Sequence, residues 1–112
     1  MAVSFMGFSE AAATFEVSGT MEEGAPVKMA ASGKVAACAD GNDFCGVALA
    51  VRDGLATVQM EGFVRIPYSG AAPAVGYTAL AADGSGGVKA LSSGRKLLVI
   101  EVNSDSTVGL ML

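Results

Sequence analysis

Glycine recurs so often along this chain that no long helix fits between its occurrences. There are 15 glycines among 112 residues, and no stretch of about eleven residues combines a helical apolar period with few glycines. Between the glycines lie short runs rich in Val, Ile, Thr and Phe, which pack well on a pleated sheet. The pattern predicts an all-β fold, either a compact small β-barrel or a sandwich.

Turn residues separate the predicted strands at short intervals. Asp53-Gly54 is the strongest hairpin signal, because both central residues of a type I′ turn need a positive φ. Ser32-Gly33 predicts a second tight turn, and Gly62 predicts a bend or bulge. The predicted strands are Ala13–Ser18, Pro26–Ala31, Lys34–Ala37, Cys45–Arg52, Leu55–Glu61, Phe63–Tyr68, Thr78–Ala81, Gly87–Leu91, Leu97–Val102 and Thr107–Leu112.

The sequence also contains a weak internal repeat. Cys45–Asp53 aligns with Leu97–Asp105, and the alignment continues without a gap through Val58 over Leu110 to Met60 over Leu112. With one inserted residue, Val35 falls on Val88. One interpretation is two copies of a β-unit that together close one barrel or sandwich. The other is chance similarity among abundant Gly, Val and Ala.

The composition favours assembly over chemistry. Hydrophobic residues make up 52% of the chain and charged residues only 16%, against about 25% charged in an ordinary domain. The apolar surplus predicts surface that meets other protein chains, unless Ala and Val merely inflate the hydropathy. Histidine is absent and there are two cysteines, which excludes Ser-His-Asp catalysis and a four-thiolate zinc site within one chain. We expect no enzyme activity, no cofactor and no bound metal.

Charge and hydropathy patterning limit the partners. The net charge is −4 and the seven basic residues are scattered, so we expect no binding to nucleic acid. Apolar runs are too short for a membrane-spanning helix, and no basic segment marks a signal peptide, which predicts a cytoplasm-like compartment. There Cys38 and Cys45 are expected to be reduced thiols, although they could bridge if the loop between them closes a hairpin.

The first residues are apolar at a chain end that usually frays. We therefore predict an N-terminal arm over Met1–Ala12, followed by a single β-barrel-like domain over residues 13–112. The arm would dock on a neighbouring subunit or a larger lattice by adding to a sheet edge; the alternative is an ordinary first strand. Its predicted contact residues are Val3, Phe5, Met6 and Phe8.

A spaced pattern of glycines and strand residues resembles a known family. Its segments are Gly24-x-Pro26-Val27, Phe44-x-Gly46-Val47-Ala48, Asp53-Gly54-x-Ala56-x-Val58-x-x-x-Gly62-Phe63-Val64-x-x-Pro67, Gly76-Tyr77, Val88, Leu98-Val99 and Val108-x-Leu110-x-Leu112. The pattern is similar to that of small tailed-phage capsid decoration proteins, also called head-stabilisation or cement proteins. It covers about Gly24 to Leu112 and fades over Met1–Thr20.

The resemblance implies a structural role. Such proteins have a compact β-barrel-like body and sit on the outside of the virion capsid, commonly as homotrimers bound to the major capsid protein. They stabilise the expanded head and have no catalytic residues. The resemblance therefore implies a protein made in the bacterial host cytoplasm and carried on the capsid exterior.

An alternative function is a carbohydrate- or receptor-binding β-module of a head fibre or adhesin. Such a module would need an exposed aromatic platform. The candidate aromatic residues are Tyr68, Tyr77 and Phe63, and Pro67 and Pro73 shape the loop Ser69–Gly76. The exposed residues at this loop are predicted to be Tyr68, Pro73 and Tyr77. A binding module should take up glycans, whereas a decoration protein should trimerise and bind expanded heads.

Overall fold

The computed structural model of the protein describes residues 11–112, which form ten strands and, within that range, no helix. The strands are β1 (Ala11–Val17), β2 (Pro26–Ala31), β3 (Lys34–Ala37), β4 (Gly46–Arg52), β5 (Leu55–Glu61), β6 (Phe63–Pro67), β7 (Gly76–Ala82), β8 (Val88–Ala90), β9 (Arg95–Val102) and β10 (Thr107–Met111). The predicted all-β class is confirmed. Most of the predicted arm lies outside the described residues, and its last two residues, Ala11 and Ala12, belong to β1.

The turn chemistry places the strand ends where the sequence predicted them. Strands β2, β3 and β5 begin and end at the predicted residues. Asp53 and Gly54 both have positive φ, 53° and 76°, as a type I′ turn requires. Gly62 has a φ of 106° and forms the bend between β5 and β6, a conformation that glycine adopts without steric strain.

The first five strands form a closed barrel, here called the first unit. Their order is β1-β3-β2-β4-β5, and β1 closes the barrel by pairing antiparallel with β5 and parallel with β3. Inward-facing side chains fill the barrel, and a buried cluster around Val27, Val35 and Val58 forms its core. Closure leaves no unpaired strand edge around this barrel.

The last five strands form a second sheet, here called the second unit, in the order β6-β10-β9-β7-β8. The sheet returns on itself through a single parallel bridge between Tyr68, just after β6, and Val88 of β8. Its concave side holds the larger core, which includes Ile66, Leu80 and Leu110.

The two units have the same topology, which favours the repeat over chance similarity. In the first unit the parallel bridge joins Val17 to Val35, and in the second unit Tyr68 to Val88. Each unit has a register shift at the same point: Ala48 pairs with Val58 and Ala50 with Thr57, whereas Val99 pairs with Leu110 and Glu101 with Gly109. The unpaired residues are therefore Leu49 in β4 and Ile100 in β9.

The sequence alignment of the repeats needs one correction. Val58 does correspond to Leu110, but Val99 corresponds to Ala48 and not to Val47. The reason is the connection between β9 and β10: the paired residues Val99 and Leu110 are 11 positions apart, one more than Ala48 and Val58 in the first unit. An ungapped alignment across this connection is necessarily displaced in one of the two strands.

The loop that contains the two cysteines does not close a hairpin. It leads from β3 to β4, and β2 lies between those two strands in the barrel. Strands are spaced about 4.8 Å apart, so an intervening strand separates Cys38 and Cys45 by more than a disulfide can span. Both cysteines are free thiols.

Candidate interaction surface

The outer face of the second unit is built by simple alternation along its strands. In β9, Leu97 and Val99 point into the core and are buried, and in β10 Val108 and Leu110 do the same. Successive side chains of a strand point to opposite faces. Leu98 and the corresponding residues of the neighbouring strands therefore lie on the outer face.

Strand register brings four outer side chains into one line across the sheet. Tyr77 of β7 pairs with Leu98 of β9, Leu98 pairs with Met111 of β10, and Met111 pairs with Phe63 of β6. Directly paired side chains lie about 5 Å apart, so the line is continuous. Tyr77 is 77% exposed and the other three are half-buried. We call these four residues, Tyr77, Leu98, Met111 and Phe63, the apolar row.

A paired charge cluster borders one end of the apolar row. The Arg65 Nε lies 2.6 Å from Glu101 Oε1, and the Arg65 guanidinium stands 5.3 Å from the centre of the Phe63 ring. The hydrogen bond from Arg65 lowers the pKa of the Glu101 carboxyl. Gly109 lies between them on β10 and leaves space for both side chains. Arg65 and Glu101 neutralise each other, so this pair makes the surface beside Phe63 polar without adding a net charge to it.

The repeat gives the apolar row a counterpart in the first unit. Pro26 pairs with Val47 and Val47 pairs with Gln59, which is the same register as Tyr77, Leu98 and Met111. These three residues are buried, with Val47 at 5% exposure and Gln59 at 3%. Val47 packs against the core of the second unit together with Phe44. The outer face of the first unit is thus covered within the chain at these residues, whereas Tyr77, the counterpart of Pro26 on the second unit, is exposed.

The three predicted loop residues do not share one exposed surface. Tyr77 is exposed and belongs to the apolar row. Tyr68 is half-buried, because its backbone bridges to Val88 and its side chain packs against the second core. Pro73 is buried. Val75, which the sequence did not single out, is 67% exposed beside Tyr77.

The predicted arm residues Val3, Phe5, Met6 and Phe8 lie outside the described residues. The described chain begins at Ala11, which pairs with Glu61 at the end of β5. Glu61 is two residues before Phe63. The arm therefore joins the fold close to one end of the apolar row.

Sequence reasoning did not find Leu98 and Met111 as surface residues. Leu98 belongs to the run Leu97–Ile100, and an uninterrupted apolar run is typical of a strand buried on both faces. The exposed side of that run becomes visible only when β9 is placed between β7 and β10. Met111 lies between Leu110 and Leu112. An apolar residue between two other apolar residues carries no local signal that distinguishes core from surface.

A cleft of about 350 Å³ separates the two units on another side of the molecule. Thr20, Glu22, Cys38 and Ser85 contribute to its walls, which are otherwise made of small residues. The Asp83 carboxylate accepts hydrogen bonds from the backbone amides of Ser85 and Gly87, so it organises the neighbouring loop. The cleft therefore offers few side-chain groups for chemistry.

The range 11–112 also bears on metal sites and membrane spans. This range contains no group of three or more Cys, Asp or Glu residues placed to hold a metal ion, and it has no helix long and apolar enough to cross a membrane. No protein-family model matches the chain, and no curated protein matches it either.

Proposed function

We propose that this chain is a structural protein that acts by assembling with other protein chains, as a decoration protein on the outer surface of a tailed-phage capsid. The observation that carries the proposal is the apolar row, a continuous line of four large apolar side chains on the outer face of the second unit. Contiguous exposed apolar surface marks protein contact sites.

The chemistry of the row suits a protein partner. Tyr, Phe and Met are enriched at protein interfaces, and the centre of an interface is apolar with a polar rim. Here the row supplies the apolar centre, and the Arg65–Glu101 pair supplies one side of the rim. A closed barrel joined to a similar second sheet also gives a rigid body, which favours binding without a large loss of conformational entropy.

The resemblance to capsid decoration proteins supplies the partner. It implies many copies bound to the major capsid protein, as homotrimers that stabilise the expanded head. The net charge of −4 and the absence of histidine agree with a structural role outside the packaged DNA. The proposed location is therefore the exterior of the virion.

The experiment that tests this function is co-sedimentation of the purified protein with expanded capsids. We expect saturable binding, with a fixed number of copies per capsid and greater resistance of decorated capsids to heat. Binding that does not saturate, or no binding at all, would contradict the proposal. Unexpanded capsids serve as the comparison, because the resemblance implies binding to the expanded head.

The N-terminal arm is the proposed capsid contact, since it enters the fold at Ala11 beside Glu61. Deletion of Met1–Glu10 leaves β1 intact and should abolish co-sedimentation. A second variant keeps the full length and replaces Val3, Phe5, Met6 and Phe8 with Ser, which tests whether the apolar side chains carry the binding. If the arm binds through its apolar side chains, the serine variant fails like the deletion; unchanged binding by both would overturn this part of the proposal.

A second candidate function is binding of carbohydrate, and the observation that favours it is the exposed ring of Tyr77, 77% accessible. Aromatic faces stack well on sugar rings, and Val75 beside it is also exposed. Of the predicted platform, however, Tyr68 is half-buried and Pro73 is buried. A glycan-binding screen tests this function: specific binding that is lost in Tyr77→Ala would support it, and no binding would exclude it.

A further inference from the structure

The Asp53-Gly54 turn places a charged side chain beside an exposed leucine. Arg52 and Leu55 flank this two-residue turn, and they are paired directly across the hairpin of β4 and β5. On its other side, Leu55 pairs with Glu16 of β1. Directly paired side chains lie on the same face of a sheet, about 5 Å apart, so Glu16, Leu55 and Arg52 form a line across the barrel.

This line lies on the outer face of the first unit, in a part that the second unit does not cover. Ala56, the next residue of β5, is buried in the barrel core, and successive side chains of a strand point to opposite faces. Leu55 therefore points outward, and it is 46% exposed. Glu16 and Arg52 are exposed as well.

Small side chains continue this face beyond Leu55. In the next line, Thr57 of β5 pairs with Thr14 of β1 and with Ala50 of β4. An open hollow of about 220 Å³ lies among these three residues, Leu55 and Arg52. We call the six residues of the two lines the Leu55 face, namely Glu16, Leu55, Arg52, Thr14, Thr57 and Ala50.

The charges on the Leu55 face have little ionic compensation within the chain. The Arg52 guanidinium has no ionic partner among residues 11–112. The Glu16 carboxylate is paired in that range only with the Lys34 ammonium, at 3.9 Å, and an exposed ion pair of this kind contributes little to stability. Leu55 thus has an available negative charge on one side and an available positive charge on the other.

A line of this kind is complementary to itself. When two copies face each other across a two-fold axis that lies along β5 at Leu55, Glu16 of each copy is opposite Arg52 of the other. The two Leu55 side chains meet at the centre, and the open hollow beside each one leaves space for the other. A two-fold axis across the strands would instead place Glu16 opposite Glu16, and such like-charge contacts are disfavoured. The charges therefore specify one of the two orientations.

We propose that two copies of this chain associate through their Leu55 faces, with β5 of one copy packed along β5 of the other. Each copy contributes the same surface to such a two-fold contact, which is the commonest symmetry of protein oligomers. The inference goes beyond the proposed function, since decoration requires only a contact with the capsid. It is compatible with the homotrimer that the resemblance implies, because two-fold and three-fold contacts use different surfaces and can combine in one assembly.

The test reverses the two charges and measures the mass of the full chain by sedimentation equilibrium. Arg52→Glu, Glu16→Arg and the double reversal are compared with the wild type, and circular dichroism checks that each variant folds. Loss of the contact halves the mass of the assembly, whether a dimer becomes monomers or two joined trimers separate. The matched control is Lys96→Glu, which reverses an exposed charge on the second unit.

We expect the wild type and Lys96→Glu to associate equally. Each single reversal should weaken the association by about tenfold or more, because it places like charges opposite each other. The double reversal should restore the association, and so should an equimolar mixture of Arg52→Glu and Glu16→Arg, since opposite charges meet again in both. A wild type without two-fold association, single reversals that associate like the wild type, or a double reversal that does not restore association would each overturn the inference.

Failure of this inference and failure of the capsid proposal give different results. A wild type that shows no two-fold association and yet binds expanded capsids would overturn the contact through the Leu55 face and leave decoration intact. A two-fold assembly that does not co-sediment with capsids would support the inference and overturn the capsid assignment.

Discussion

The side-chain amide of Gln59 donates a hydrogen bond of 3.1 Å to the carbonyl oxygen of Phe63, the first residue of the second unit. The same nitrogen donates to the carbonyl oxygen of Glu61, also at 3.1 Å. Gln59 is the only buried polar side chain among residues 11–112. It therefore ties together the two sides of the Gly62 bend, where the chain passes from one unit to the other.

Replacing Gln59 with Leu should destabilise the protein. The leucine fills the space, but it leaves the carbonyl groups of Glu61 and Phe63 without this donor, at a cost of about 1–3 kcal/mol in the free energy of unfolding. Urea denaturation measures the change. Glu61→Gln is the control, because Glu61 is exposed on the same strand and a surface change should stay within about 0.5 kcal/mol. Equal stability of Gln59→Leu and the wild type would contradict a connecting role for Gln59.

Two glycines of the sheets should differ in their tolerance of alanine. A Cβ on Gly46 would meet the backbone carbonyl oxygen of Gln59 and would lie 2.6 Å from Val58 Cγ1. A Cβ on Gly109 would instead meet side chains, 2.6 Å from Glu101 Cγ and 2.8 Å from Phe63 Cζ. Side chains move more easily than paired backbone.

We therefore expect Gly46→Ala to lower the free energy of unfolding by about 3 kcal/mol or more, and Gly109→Ala by about 1 kcal/mol. Denaturation curves compare the two variants directly. Gly109→Ala should also displace the Phe63 ring, since its Cβ would lie 2.8 Å from Phe63 Cζ. A larger loss of stability at Gly109 than at Gly46 would contradict this ranking.

The local elements of this fold could be predicted because turn chemistry determines them. Asp53-Gly54 and Ser32-Gly33 bound short runs of strand residues, and the strands beside them begin and end where expected. Long-range register could not be predicted. Leu98 and Met111 come together only because β9 and β10 pair in one register, and a shift by one residue would turn both side chains into the core.

The repeat shows a related limit. Val58 over Leu110 and Val35 over Val88 were predicted correctly, but the longer connection between β9 and β10 displaced the alignment of β4 with β9. Val, Leu and Ile substitute for one another so readily in strands that the alignment score changes little with the shift. The bulge residues Leu49 and Ile100 mark the true register, and a bulge has no sequence signature when it carries an ordinary apolar residue.

The thiol of Cys38 should react slowly in the folded protein. Burial raises its pKa to about 11, partly offset by the nearby positive charge of Lys28. The thiolate is the reactive form, so at pH 8 alkylation of Cys38 should be about a hundredfold slower than in urea. Mass spectrometry of the time course measures this, with Cys45→Ser isolating the Cys38 signal. A fast reaction in the native state would contradict the burial, and a bridged Cys38–Cys45 peptide would contradict the position of β2 between them.

The carboxylate of Asp83 should make stability depend on pH in the acid range. Burial alone would raise its pKa, but hydrogen bonds from the Ser69 hydroxyl and from the backbone amides of Ser85 and Gly87 outweigh burial and lower the pKa below its usual 3.8. A carboxyl group with a lowered pKa in the folded state contributes stability above its unfolded pKa. That contribution is lost as the pH falls through the folded pKa.

Asp83→Asn should therefore be less stable than the wild type at pH 7, by about 1 kcal/mol because the site is partly exposed and screened by solvent. The difference should shrink as the pH falls below about 4, where the wild-type carboxyl group takes up its proton. Ser69→Ala removes one of the three donors and should show a smaller loss with the same pH trend. Urea denaturation at several pH values measures all three proteins. If the free energies of unfolding of Asp83→Asn and the wild type differed by the same amount at every pH, the charge of the Asp83 carboxylate would not be the source of the difference, and this prediction would be wrong.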